Sequence, residues 1–275
     1  MAPTYCGLPQ YGLPLVTPDH ADFRALATAI TVDPFGNKLE EAPPEGAVVL
    51  NQSGQAVLAI SILSRWTDQD GHPGLHTMGG LQSLAHLDRR PENADPRSMW
   101  SHPFLPGSKR LITPHGVFGD NSDVLPPEAK PRAFGGAGGR FNRGGMPRPE
   151  RTLLELQLDS AIFADGLFAG PDETGLYATI GSVAAEQRRL AAEAAALLRR
   201  GARLGDVFEV VRSAARHRPG PAAGPADARS MHLLASFGRA ALDLLIHADD
   251  EHREALIPWF ETQADVPRMQ LRRHE

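Results

Sequence analysis

The sequence predicts an α+β protein. A small antiparallel, sandwich-like β-part with long loops comes first, and a C-terminal helical part of three or four helices follows. Three observations predict this. Runs of aliphatic and β-branched residues bounded by turn residues fall at 47–50, 56–66, 110–113 and 153–159. Leu176, Ile180, Val183, Gln187, Leu190, Ala194 and Leu197 follow a 4-3-4-3 spacing, which draws one apolar stripe along a helix. Proline and glycine clusters crowd the first half and mark its loops. The expected division is an arm and short helix over 1–39, a β-rich domain over 40–170 and a helical region over 171–275.

Residues 1–17 read as an extended arm. Thr17-Pro18-Asp19 has the pattern of a helix start, with a capping threonine, a first-turn proline and an acid at the positive end of the dipole. The helix expected over 18–30 puts Phe23, Leu26 and Ala27 on one face. Val32-Asp33-Pro34-Phe35-Gly36 stops it. Ala47–Leu50 and Ala56–Trp66 then read as two strands joined by the turn Asn51-Gln52-Ser53-Gly54 into an antiparallel hairpin. Asp68-Gln69-Asp70-Gly71 ends the second strand as a polar turn.

Residues 72–108 show no sustained period and read as an irregular insertion with a short helix near 81–87. Pro106-Gly107 is a turn before a strand at 110–113, and 116–150 reads as loop. The alternation of 153–159 is that of a strand, and 161–169 reads as a small hairpin turning on Asp165-Gly166.

Gly170-Pro171-Asp172-Glu173-Thr174 opens the helical half, and Arg199-Arg200-Gly201 closes its first helix. A second helix is expected over 204–217 with Leu204, Val207, Phe208 and Val211 inward. The Pro/Gly-rich stretch 219–225 is a linker. A third helix follows over 226–247 and a fourth over 250–260, perturbed at Pro258.

Charge and composition exclude several classes. Net charge is −5, which gives no overall attraction to nucleic acid or to an anionic membrane. The single cysteine, Cys6, rules out an intrachain disulfide framework and a cysteine zinc site. The first residues lack the charged and apolar regions of a signal peptide, and no run reaches the roughly 18 apolar residues of a membrane span. The expected location is therefore the cytoplasm, and no membrane partner is expected.

Candidate chemistry is sparse. His72 and His76 are four apart, a helical metal-ligand spacing, but Pro73 and Gly74 lie between them. Together with His115, Asp120 and Asp123 they form the candidate metal set of a metal-dependent hydrolase, with His102 able to join by tertiary convergence. Asp68-Gln69-Asp70-Gly71 resembles the opening of a calcium loop, yet it leaves a strand and lacks the later glutamate, so a hairpin turn is expected. Asp120-Asn121-Ser122-Asp123 reads as an Asx-rich turn.

The glycine-rich stretch 134–149 has neither dinucleotide nor phosphate-loop spacing. Around it, Lys130, Arg132, Arg140, Arg143, Arg148 and Arg151 face Glu150 alone. Interleaved Phe134 and Phe141 make Arg132, Arg140, Phe141, Arg143 and Arg148 candidates for single-stranded nucleic acid, through charge and stacking. One short basic stretch in an acidic chain ranks nucleic acid below protein as a partner. No nucleophile elbow is present and no cofactor is expected. A non-enzymatic module acting through protein contacts is thus the leading functional expectation. Core packing accounts for the stripe on 176–197, with a homodimer seam as the alternative use of the same face.

Overall fold

The computed structural model describes residues 2–30, 45–79, 84–87, 103–114, 116–119, 151–216, 225–249, 253–266 and 269–273. Its architecture is α+β, with strands in the N-terminal part and the long helices in the C-terminal part. The chain forms two compact units. The first holds the described residues within Met1–Gly80, Ala94–Ala164 and Ala169–Pro171; the second holds those within Leu81–Asn93, Asp165–Phe168 and Asp172–Glu275.

In the first unit the elements run β1 (Thr4–Cys6), β2 (Leu15–Val16), α1 (Phe23–Thr28), β3 (Ala47–Leu50), β4 (Val57–Thr67), β5 (Pro73–Gly79), β6 (Lys109–Thr113), β7 (Gly116–Gly119) and β8 (Thr152–Phe163). They make two groups of paired strands. In one, β8 pairs antiparallel with β4 and parallel with β1, and β4 pairs antiparallel with β5. In the other, the antiparallel order is β2-β3-β6-β7. The N-terminal arm is thus woven into both sheets through β1 and β2.

α1 is shorter than expected. A separate turn, closed by His20 N–H to Thr17 O at 3.0 Å, occupies the expected first turn, and the helix begins at Phe23. Its apolar face holds: Phe23, Ala27 and Ile30 pack with Val48 and Leu111, and Leu26 lies against them.

The expected hairpin of 47–50 with 56–66 does not form. β3 pairs with β2 and β6, whereas β4 pairs with β5 and β8. Asn51, 1% exposed, instead donates its carboxamide to Phe104 O at 2.7 Å and Gln55 O at 2.8 Å. Val57 and Phe104 then exchange backbone hydrogen bonds of 2.9 and 2.8 Å. The chain therefore turns a corner here and passes from one sheet to the other.

Two further strands lie where loops were expected. β5 follows the Asp68–Gly71 turn, which is the hairpin turn expected there, and β7 follows β6. β8 continues through Phe163 as one strand, with irregular register between Ser61 and Ile62 of its partner and again between Arg65 and Trp66.

The second unit contains a 3-10 turn (Leu84–Leu87), the start of β9 (Leu167–Ala169), α2 (Leu176–Arg199), α3 (Leu204–Arg216), α4 (Pro225–His247), α5 (Ile257–Ala264) and β10 (Arg272–Arg273). α2 packs against α3, α4 and α5. Ile180, Val183, Leu190 and Ala194 are all at most 4% exposed, so core packing uses up the stripe that a second copy would need. Leu190, Val207, Val211, Phe237 and Phe260 share one cluster, in which Trp259 stacks on Phe237 at 6.1 Å and meets Phe260 edge-on.

Helix ends follow local chemistry. Gly201, with φ 73°, ends α2 through Gly201 N–H to Leu198 O (2.9 Å) and Ala202 N–H to Leu197 O (3.0 Å). At the other end, the acid acts ahead of the helix rather than in its first turn. Asp172 accepts from the backbone N–H of Leu176 at 2.6 Å and of Tyr177 at 3.3 Å. Pro258 lies in the first turn of α5, where its missing N–H costs nothing, so it starts this helix and does not perturb one. Of the expected linker over 219–225, residues 219–224 lie outside the described residues, and Pro225 is the first residue of α4.

Candidate contact surface at the end of β4, β5 and β8

Register partners on neighbouring strands share a face, so the pairings of β1, β8, β4 and β5 define rows of side chains. One row runs Leu75, Arg65, Glu155, Thr4. The next row on this face runs Thr77, Leu63, Gln157, Cys6. Leu63 and Gln157 are buried at 1% and 5% exposure, whereas Leu75 is 49% exposed. Arg65 pairs with Glu155, and the Cys6 thiol donates to Glu155 Oε1 at 3.7 Å. An exposed apolar side chain on a strand edge thus sits beside a half-exposed ion pair.

The opposite face of the same strand ends carries Gly74, Trp66 and Leu153 in one row. A Cβ on Gly74 would lie 2.1 Å from the Trp66 ring, so the indole lies flat over a position that only glycine can supply. The Arg151 guanidinium covers the ring at 3.9 Å from its centroid. That stack combines cation–π attraction with shielding of the indole from water. Behind it, Tyr5 shares a row with Leu156, Ser64 and His76. Burial pushes the Tyr5 phenol above its ordinary pKa, helped by the nearby charges of Glu45 and Asp19.

The turn between β4 and β5 brings together Asp68, Asp70 and His72, whose ligand atoms lie within 4.8 Å of one another. The Asp68 carboxylate and the His72 ring are engaged in closing the turn. Asp68 Oδ1 accepts from His72 N–H at 2.8 Å and from Asp70 N–H at 3.0 Å, and Asp68 Oδ2 lies 3.2 Å from His72 Nδ1. The His72 backbone N–H, above all, holds the Asp68 carboxyl below its ordinary pKa. Gly71, with φ 81°, supplies the left-handed residue. The arrangement is an Asx-type turn whose carboxylate is already occupied by donors.

Of the expected metal set, only His72 and His76 fall among the described residues. His72 sits on this turn with its side chain 75% exposed. His76 lies in β5 with Nδ1 3.2 Å from Pro114 O, and it is not one of the three clustered ligands. His102, His115, Asp120 and Asp123 lie outside the described residues. So do Arg132, Arg140, Phe141, Arg143 and Arg148 and the whole of 134–149.

The sequence marks Trp66 only as the end of a strand and Arg151 as part of a basic stretch, and it does not single out Leu75, Glu155 or Gly74. The one usable signal was the glycine three residues beyond the Asp-Gly turn and facing back toward a tryptophan. Among the described residues, no helix is long and apolar enough to cross a membrane. No protein-family model matches the chain, and no curated protein or solved structure does.

Proposed function

We propose that this chain is a non-enzymatic binding module that acts through protein contacts. Its contact surface is the edge of β5 that no described strand pairs with, and its occupant is an extended segment of a partner protein that adds as a further strand. The observation that carries the reading is Leu75, 49% exposed on a strand that pairs only with β4 among the described strands. Unpaired strand edges offer a row of backbone donors and acceptors, and strand addition uses them, with alternate side chains supplying specificity. Here Leu75 is the apolar anchor. The Arg65–Glu155 pair beside it gives the polar rim that contact sites characteristically carry.

Affinity capture from the source cell extract, read by quantitative mass spectrometry, tests this. Leu75→Lys should deplete the captured partners by roughly tenfold, the scale of a lost interfacial anchor. Ile246→Lys, on an exposed position of α4, should leave them unchanged. Identical partner sets for the wild-type chain and Leu75→Lys would overturn the assignment.

A further inference from the structure

We propose that β10 is a reversible strap. The groove it fills, formed by Asp165–Phe168 and the entry of α2, is a receptor for an extended segment that carries two successive arginines. The occupant in this structure is the chain's own C-terminal segment.

The groove reads the strap at each residue. β10 pairs parallel with β9, with Arg272 opposite Leu167 and Arg273 opposite Phe168. Arg272 N–H donates to Gly166 O at 2.9 Å. The Tyr177 hydroxyl donates to Leu271 O at 3.2 Å. Arg272 Nη2 donates to the backbone O of Asp165 at 3.1 Å and to its Oδ2 at 3.2 Å. Arg273 Nη1 lies 3.9 Å from Asp172 Oδ2. Gly166 is shaped for this occupant: its φ is 87°, and a Cβ there would come within 2.5 Å of Gln270 O. Two acids thus read two arginines, and a glycine admits the backbone that leads into them.

The walls of the groove are held by bonds of their own. Leu167 N–H closes the Asp165–Gly166 turn onto Asp165 Oδ1 at 3.0 Å. Asp172, 3% exposed, is fixed by the first amides of α2. Phe168 and Tyr177 meet edge-on at 5.1 Å. The strap, by contrast, is held shallowly. Its arginine side chains are 67% and 49% exposed, and its strand is two residues long. Exposed ion pairs add little and weaken with salt. A preformed groove with a weakly held occupant is the arrangement that lets the occupant exchange.

The test uses the full chain and a fluorescent peptide with the sequence of residues 266–275, followed by anisotropy. In the double variant Arg272→Glu/Arg273→Glu the strap no longer fits, and the peptide should bind roughly tenfold more tightly than to the wild-type chain, because the cis competitor is gone. Binding should fall as salt is raised, and a peptide carrying the same two glutamates should not bind. No saturable binding to the double variant, or equal binding to both chains, overturns the proposal.

Should the double variant fail to fold, hydrogen exchange on the unaltered chain decides. Moving from about 0.05 M to about 1 M salt should speed exchange of the Arg272 amide while the buried amides of α2 stay constant. An Arg272 amide as protected at high salt as at low salt would show a fixed strand and end the idea.

Discussion

Asp172 offers the sharpest test of how the second unit is held together. It is the one described non-glycine residue with positive φ, at 59°, and its buried carboxylate accepts from the Leu176 and Tyr177 amides. Three substitutions separate its contributions. Asp172→Asn keeps an acceptor and tolerates the left-handed backbone but loses the charge at the helix N-terminus, a loss of about 0.5–1 kcal/mol. Asp172→Gly loses acceptor and charge yet relieves the backbone, for a net of about 1–1.5 kcal/mol. Asp172→Ala loses both and keeps a Cβ in the left-handed region, so its cost rises to about 2–3 kcal/mol. Urea unfolding followed at 222 nm reads these values, because the second unit carries the long helices. With a slope of roughly 2 kcal/mol/M, the alanine variant should lose about 1–1.5 M in midpoint. The expected order of stability is Asn above Gly above Ala. An alanine variant within about 0.5 kcal/mol of the wild-type chain would refute the capping role. A glycine variant less stable than alanine would refute the backbone argument.

Further outcomes follow from three other sites. Phe260, fully buried between Trp259 and the helix core, should lose about 3–5 kcal/mol on Phe260→Ala, read in the same urea experiment. Gly74→Ala must displace the Trp66 ring from its place 2.1 Å from the new Cβ, so fluorescence emission should shift to the red; unchanged emission would show that Trp66 does not lie over Gly74. Tyr5→Phe should be neutral or stabilising, since the hydroxyl is buried and has no hydrogen-bond partner among the described residues. The raised Tyr5 pKa also sets a sign. The folded chain holds this proton more tightly than the unfolded chain, so the associated stability is complete below the ordinary value of 10.0 and is lost as pH rises through the raised one. The phenylalanine variant should therefore lose less stability than the wild-type chain as pH rises above the ordinary tyrosine value of 10.0, by thermal melting.

The helical half was legible because its signals are local and redundant. The stripe from Leu176 to Leu197 runs along nearly the whole of the 24-residue α2, and Gly201 marks its end by the conformation that glycine alone adopts cheaply. Strand content was partly legible. β3, β4, β6 and most of β8 are aliphatic runs. β5 reads Pro-Gly-Leu-His-Thr-Met-Gly, and its composition hides it: proline and glycine argue against a strand unless one is an edge residue and the other lies under an indole. β10 consists of two arginines and carries no apolar signal at all. The contact surface was hidden for a different reason. Arg65 and Glu155 are 90 residues apart and Cys6 and Glu155 are 149 apart, so only the sheet register makes them neighbours.

Pairing partners were the least legible feature, and Asn51 explains why. Two adjacent β-runs with a Gly-containing link satisfy every local condition for a hairpin. What decides between a hairpin and a corner is where the polar groups of the link find partners. A hairpin supplies them from the two strands it joins. At this corner they come from distant chain: Gln52 N–H reaches Gly12 O at 2.7 Å, Asn51 N–H reaches Ser108 O at 3.0 Å, and Gly107 N–H reaches Asn51 O at 2.7 Å. The Asn51 carboxamide, buried and bonded to Phe104 O, ties the last of these segments in place. An asparagine in a turn is read as a turn residue on local grounds, and that reading was correct. Its second role, joining 12–14 and 104–108 to the same point, depends on residues about 40 and 50 positions away, which no local period reports.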